Sequence, residues 1–183
     1  MDWTAHLCEQ LTWHWENHAR PRLETLTDDE YFWEPVAPCW SIRPRSEART
    51  ATPVGAGELI MDFMYPEPSP APVTTIAWRL GHLLVGVFGQ RNASHFGGPR
   101  FDYETLVWPP DARSSLDALD DAYARWVAGV RGLDSDTLLR PVGPAEGSFA
   151  EFPYADLVLH INREAIHHMA EALLLRDLYG ARH

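Results

Sequence analysis

The stretch HINREAIHHMAE, residues 160–171, carries His160, Glu164, His167, His168 and Glu171. At about 100° per residue in a helix, all five fall within an arc of roughly 100°, so one face holds three imidazoles and two carboxylates. These side chains ligate divalent metals and exchange protons near neutral pH. Leu157 and Leu175 bracket the polar set on the same face, while Ile161, Ala165, Ile166, Met169, Ala172 and Leu173 spread over the others. The element therefore reads as a mostly buried helix. Carboxylates and imidazoles placed there need compensation by pairing or by a metal ion.

A pair at i and i+4 brings two ligand atoms onto one centre, and a facing helix then completes the set. Three pairs meet that spacing: Glu164 with His168, His167 with Glu171, and His160 with Glu164. Periodicity does not choose among them. A facing ligand is available in His82, in the middle of TTIAWRLGHLLVGVFGQ, with Trp78, Val85, Gly86 and Gly89 on its own side. A lone imidazole on an apolar helix is more often a satisfied core histidine, but glycines beside it allow a close approach. His14 and His18 share the i, i+4 spacing without a matching carboxylate, and read as a surface or interface pair. Arg79 and Arg163, near the candidate residues, read as solvated.

The elements that must position these groups are helical. Apolar and aromatic residues recur at helical spacing from about Trp3 to Leu23. Thr27 and Glu30 have capping-box spacing and predict a short helical turn before Pro35. Residues 34–72 are too rich in proline for a helix interior. A second long helix opens at Thr74 or Thr75 and runs to Gly97-Gly98-Pro99; its middle is apolar on nearly every side, which predicts burial. A third starts near Ser114 or Ser115, with acidic residues early and arginines late, as the helix dipole favours. A short piece at DSDTLLRPV follows, and the last helix spans from near Pro153 to before Gly180. No strand pattern of useful length appears, although PVGPAEGSFAEF has room for a brief extended piece. The expected architecture is all-α, a four-helix bundle with long crossovers, formed by residues 1–183 as a single domain.

Composition removes several functions. The 183 residues carry a formal net charge of -11, and all 15 basic residues are arginine. Without lysine there is no Schiff base and no phosphate loop of the GxxxxGK[ST] kind. An acidic, lysine-free chain lacks the cationic surface that nonspecific nucleic-acid binding requires. The N-terminus has no leader pattern and no stretch reaches about 18 apolar residues, so the expectation is a soluble, cytoplasmic protein without a membrane partner. Cys8 and Cys39 stand apart and read as free structural thiols. The eight tryptophans read as core and interface packing. There is no dinucleotide fingerprint and no serine-nucleophile elbow.

The run H-x3-E-x2-HH-x2-E at 160–171 resembles the last-helix signature of the DinB/YfiT-like superfamily, in which H-x3-H-x2-HH-[RG]-x-Q is common. His82 sits where that family's second-helix histidine is expected, and LTDDEYFWEPVAPCWSIRPR resembles the segment after its first helix. Mycothiol-dependent maleylpyruvate isomerases of the same superfamily have a Glu-x3-His pair in the last helix. The resemblance implies metal ligands His82, Glu164 and His168, with His160, His167 and Glu171 as catalytic or ligand-orienting groups. It departs from the three-histidine version by having glutamate at 164. The implied cofactor is a divalent ion, zinc or nickel foremost, with manganese and iron also compatible with a carboxylate ligand. A low-molecular-weight thiol is the implied cosubstrate, acting with a small-molecule substrate in transfer or isomerisation, and a homodimer is the implied assembly. Two other functions fit the same residues: metal-dependent hydrolysis of a small amide or ester with Glu171 as general base, and a non-catalytic bundle whose histidines form a buried hydrogen-bond network.

Overall fold

The computed structural model describes residues 2–182. Asp2 accepts a hydrogen bond from the Ala5 N–H at 3.0 Å and opens α1, residues 3–23, which is α-helical over Trp3–His14, widens to a π-turn over Trp15–Ala19, and returns to α over Arg20–Leu23. Thr27 and Glu30 form the expected capping box: the Glu30 N–H donates to the threonine hydroxyl, and the Glu30 carboxylate accepts from the Thr27 N–H at 2.9 Å. It starts the single turn α2, Asp28–Tyr31.

Thr75 caps α3, residues 76–95, by accepting from the Trp78 N–H at 3.2 Å. This helix is α over Ile76–His82, π over Leu83–Gly89 and α over Gln90–His95. Asp111 caps α4, Ala112–Arg131, through the Ser114 N–H at 2.7 Å, so the helix begins ahead of the serines that were expected to open it. Asp134 caps the short α5, Ser135–Leu139. The last helix, α6, Tyr154–Arg182, runs through Gly180 instead of stopping before it. No atom crowds that glycine and its φ is not in the left-handed region, so nothing there breaks the helix. The segment with room for a brief extended piece forms a 3₁₀ turn over Pro144–Phe149, with an isolated bridge between Pro141 and Pro153.

α1 and α3 each pack against α4 and α6, which closes the expected all-α bundle. The middle of α3 is buried on nearly every side, with Leu83, Leu84, Val85, Val87 and Phe88 each at most 2% exposed and only the His82 and Gly86 side partly open. Burying a side chain of this size stabilises by roughly 1.5–3 kcal/mol. The turn that follows His82 is thus among the most firmly held parts of the fold.

The proline-rich crossover contains two strands that were not expected: β1, Ile42–Pro44, pairs antiparallel with β2, Leu59–Met61, in the register Ile42 with Met61 and Pro44 with Leu59. Packing rather than alternation fixes them. Ile42 and Met61 lie on α3 at Gly81, where a Cβ would come within 3.0 Å of both side chains. At the next position Arg43 is 6% exposed. It donates to Asp62 at 2.7 Å, to Glu34 at 2.9 Å and to the Cys39 carbonyl at 3.0 Å. The fully buried Asp62 also accepts from the Ser41 and Arg49 N–H groups. Charges this deep persist only when their hydrogen-bonding capacity is met, and the planar, five-donor guanidinium meets it in three directions.

Candidate metal centre

His82 and His168 face each other across α3 and α6, with ring centroids 4.8 Å apart and planes nearly perpendicular. Each has one ring nitrogen already engaged. His82 Nδ1 is 2.7 Å from the Tyr103 hydroxyl, and His168 Nδ1 is 2.8 Å from Glu171 Oε2. Because a carboxylate only accepts, His168 Nδ1 carries the proton and donates it to Glu171. On the other side of that ring, His168 Nε2 lies 3.6 Å from Glu164 Oε2. Two ligands about 2.0 Å from a tetrahedral ion stand roughly 3.3 Å apart, so this spacing suits a shared cation.

Burial across the α6 face is graded. His168 is buried, Glu164, Glu171 and His160 are partly buried, and His167 is exposed. The cost of burial therefore falls chiefly on His168. His167 Nε2 is 3.4 Å from Glu171 Oε1 at the solvent edge. At the other end, Arg163 donates to His160 Nδ1 at 2.7 Å and to Glu164 Oε1 at 3.2 Å, so the neutral His160 carries its proton on Nε2.

Burial pushes the His82 pKa down to about 3, aided by repulsion from His168, Arg79 and Arg91. Burial also lowers that of His168, against the opposing pull of its bond to Glu171. Both imidazoles are neutral at pH 7, the form that ligates metal. Burial raises the Tyr103 pKa, so the phenol stays protonated beside His82.

Arg79 departs from the solvated role expected of it. It is partly buried, stacks on Trp78 at 5.4 Å and forms an ion pair from Nη1 with Glu171 Oε2 at 3.1 Å. Its Nη1 is also 3.3 Å from His168 Nδ1, a contact that is no hydrogen bond while that nitrogen donates to Glu171. Trp78 in turn stacks on His82, at 5.4 Å and 16°, and donates from its indole to the Asp62 carbonyl at 2.8 Å. The buried ion network of the crossover is thereby joined to the His82 ring.

Tyr103 is the site residue that the sequence did not reveal. It arrives from the loop between α3 and α4, where no periodicity points to it. The signal that existed was Gly86: a Cβ there would overlap the Tyr103 hydroxyl and crowd His82 at 3.0 Å. The glycine beside His82 does admit a close approach, and the visitor is a phenol.

Among the described residues, the set of three ligating groups whose atoms all lie within 4.8 Å of one another is His167, His168 and Glu171. His82 and Glu164 approach His168 in pairs. A helical bundle with long crossovers and an imidazole–carboxylate cluster between its second and last long helices is the class this geometry defines. The family model of the DinB superfamily matches residues 10–172, and the chain belongs to that superfamily. No curated protein and no solved structure matches it significantly.

Proposed function

We propose that the chain is a divalent-metal enzyme whose ion is held by His82, Glu164 and His168, and that it performs a thiol-dependent transfer or isomerisation on a small molecule. One observation carries this reading: two facing neutral imidazoles each have Nδ1 beside a neighbour, which leaves Nε2 of each for other work, and that of His168 lies 3.6 Å from Glu164 Oε2. A carboxylate on the far nitrogen of a ligating histidine is the usual outer support of such a centre, and Glu171 supplies it to His168. The donors are two nitrogens and one oxygen, which suits zinc or nickel and also admits manganese or iron. When bound, the ion supplies a Lewis-acid centre with an open position that lowers the pKa of a thiol placed there.

The chain's own groups do the rest. Glu171 fixes the His168 ring and Tyr103 fixes that of His82. His160, with its proton on Nε2 in the neutral form, offers a hydrogen-bond donor at the edge of the site, and His160 or His167 serves as acid or base there. Among the described residues no helix is long and apolar enough to cross a membrane. The homodimer belongs to the same proposal, supported by Trp3 and Trp13 on α1, each 57% exposed.

A second ligand set, His167, His168 and Glu171, is favoured by the mutual closeness of its atoms. Against it stands Arg79, whose guanidinium lies 3.1 Å from Glu171 Oε2, where a second cation would be repelled.

Elemental analysis of untagged protein tests the proposal. The wild type should carry about one ion per chain, and His82→Ala, Glu164→Ala and His168→Ala should each lose it. Metal retained in all three variants would overturn the ligand set. A wild type that neither holds metal nor gains stability from zinc, nickel, manganese or iron would overturn the metal reading in favour of a non-catalytic histidine network. Turnover of an electrophilic substrate that does not depend on thiol would point to hydrolysis instead.

A further inference from the structure

A cavity of ≈ 510 Å³ opens between α3, the 3₁₀ turn and the first half of α6. Such a volume is in the range of small-molecule sites. Its charged lining is already answered from within the protein. Glu146 accepts from His95 Nε2 at 2.9 Å and from Arg91 at 3.3 Å. Arg163 donates to His160 at 2.7 Å and to Glu164 at 3.2 Å. Asp156 is exposed to water in the first turn of α6, where the helix dipole offsets a negative charge. A charged ligand would have to break one of these pairs or compete with solvent, so the wall favours neither sign.

What the cavity offers instead is apolar surface. Phe149 and Phe152 are 60% and 50% exposed, with rings 5.7 Å apart and edge-on, and Leu159 of α6, on the same lining, is 55% exposed. Single exposed apolar residues are ordinary, but three converging on one concavity form an area that a ligand would remove from water. The two rings stand on a loop with few ties to the body of the protein. Its base is clamped by the Val142 N–H on the Phe152 carbonyl at 2.8 Å and the Gly143 N–H on the Ala150 carbonyl at 2.9 Å. No residue of the 3₁₀ turn is buried, and among the described residues of 143–152 it is the Glu146 side chain that hydrogen-bonds α3. Gly143 and Gly147 have φ of +97° and +57° with no atom within 4 Å of an added Cβ, so they serve the loop's conformation and not its packing. A segment with so little burial moves at low cost.

We infer that this cavity binds an uncharged aryl group, seated against Phe149, Phe152 and Leu159, with loop 143–152 closing over it. A short chain on that ring points along the wall to His160, whose Nδ1 is 3.7 Å from Glu164 Oε1. Its role as the apolar part of the substrate of the metal centre rests on the function proposed above; its existence as a binding site does not.

Calorimetric titration of the purified chain with 3-phenylpropanol tests it, with 3-phenylpropionate and 3-phenylpropylamine as charged counterparts and 1-propanol as the ringless one. The aryl alcohol should bind saturably and at least as tightly as either ion, and 1-propanol should not bind. Phe149→Ala and Phe152→Ala, both at exposed positions, should each weaken the alcohol by roughly three- to tenfold through lost apolar contact. Amide hydrogen exchange over 144–152 should slow when the alcohol is bound. An ion that binds about tenfold more tightly than the alcohol, the margin of one charge-assisted contact, would overturn the uncharged class. Absence of saturable binding, or binding untouched by both phenylalanine variants, would overturn the site, and unchanged exchange would overturn the closure. His168→Ala should keep the alcohol's affinity. A wild type that binds the alcohol but holds no metal overturns the metal reading alone, and one that holds metal but does not bind the alcohol overturns this site alone.

Discussion

His168 and Glu171 stand one helical turn apart on α6, with Nδ1 and Oε2 2.8 Å apart, and this contact settles which nitrogen of His168 is left for other work. Glu171→Gln should therefore weaken metal binding by about 10–100-fold while full loading returns in excess metal, because the ring loses its support and not its ligand atom. Glu164→Gln should abolish stoichiometric loading. Metal titrations of the two variants check this, and the reverse order would favour the set built on His167, His168 and Glu171.

Gly86→Ala should force the Tyr103 hydroxyl off His82 and lower stability by about 1–3 kcal/mol, as overpacking of a filled site does. Tyr103→Phe removes the hydroxyl that the new methyl would strike. The double variant should accordingly lose less than the two single losses added together, measurable by urea denaturation.

The metal-free protein should lose stability as pH falls below the ordinary histidine value of 6.5. His82 folds with its pKa held near 3, so between those values the unfolded chain binds the extra proton and unfolding gains. His168 acts in the same direction. The depressed carboxylates, such as Glu34 and Glu146, are still ionised in the upper part of that window. Thermal melts of wild type and His82→Asn between pH 7 and about 5 should therefore show a shallower decline in the variant.

Asp62→Ala should cost about 3–5 kcal/mol, because it leaves the Arg43 guanidinium buried without its principal partner. Adding Arg43→Met should recover part of that loss. Urea denaturation of the two variants measures both steps.

Much of the candidate site was legible because its residues lie on two long helices. His82 and the α6 cluster follow helical spacing, the cap at Thr27 was visible through its capping-box spacing to Glu30, and Thr75, with Thr74 as the alternative, was visible as a hydroxyl residue ahead of an apolar run. The strands escaped because three residues are too few to show alternation, and because Pro44 and the surrounding prolines masked them. What holds them is a long-range contact with α3 at Gly81. Tyr103 and the buried role of Arg79 escaped for the same reason: each is defined by a partner far away in sequence. Asp111 was missed as a cap because no Glu or Gln follows it at capping-box spacing and the serines beyond it compete as starts.

The π segment of α3 has a consequence for how the two ends of that helix relate. Leu83–Gly89 adds residues to a turn without adding a turn, so Ile76–His82 and Gln90–His95 are out of phase with one another. The upstream half aims Arg79 and His82 at α6, and the downstream half aims Arg91 and His95 at Glu146. One helix thus keeps two separate addresses, and the residue absorbed by the wide turn is what lets the sequence change phase between them.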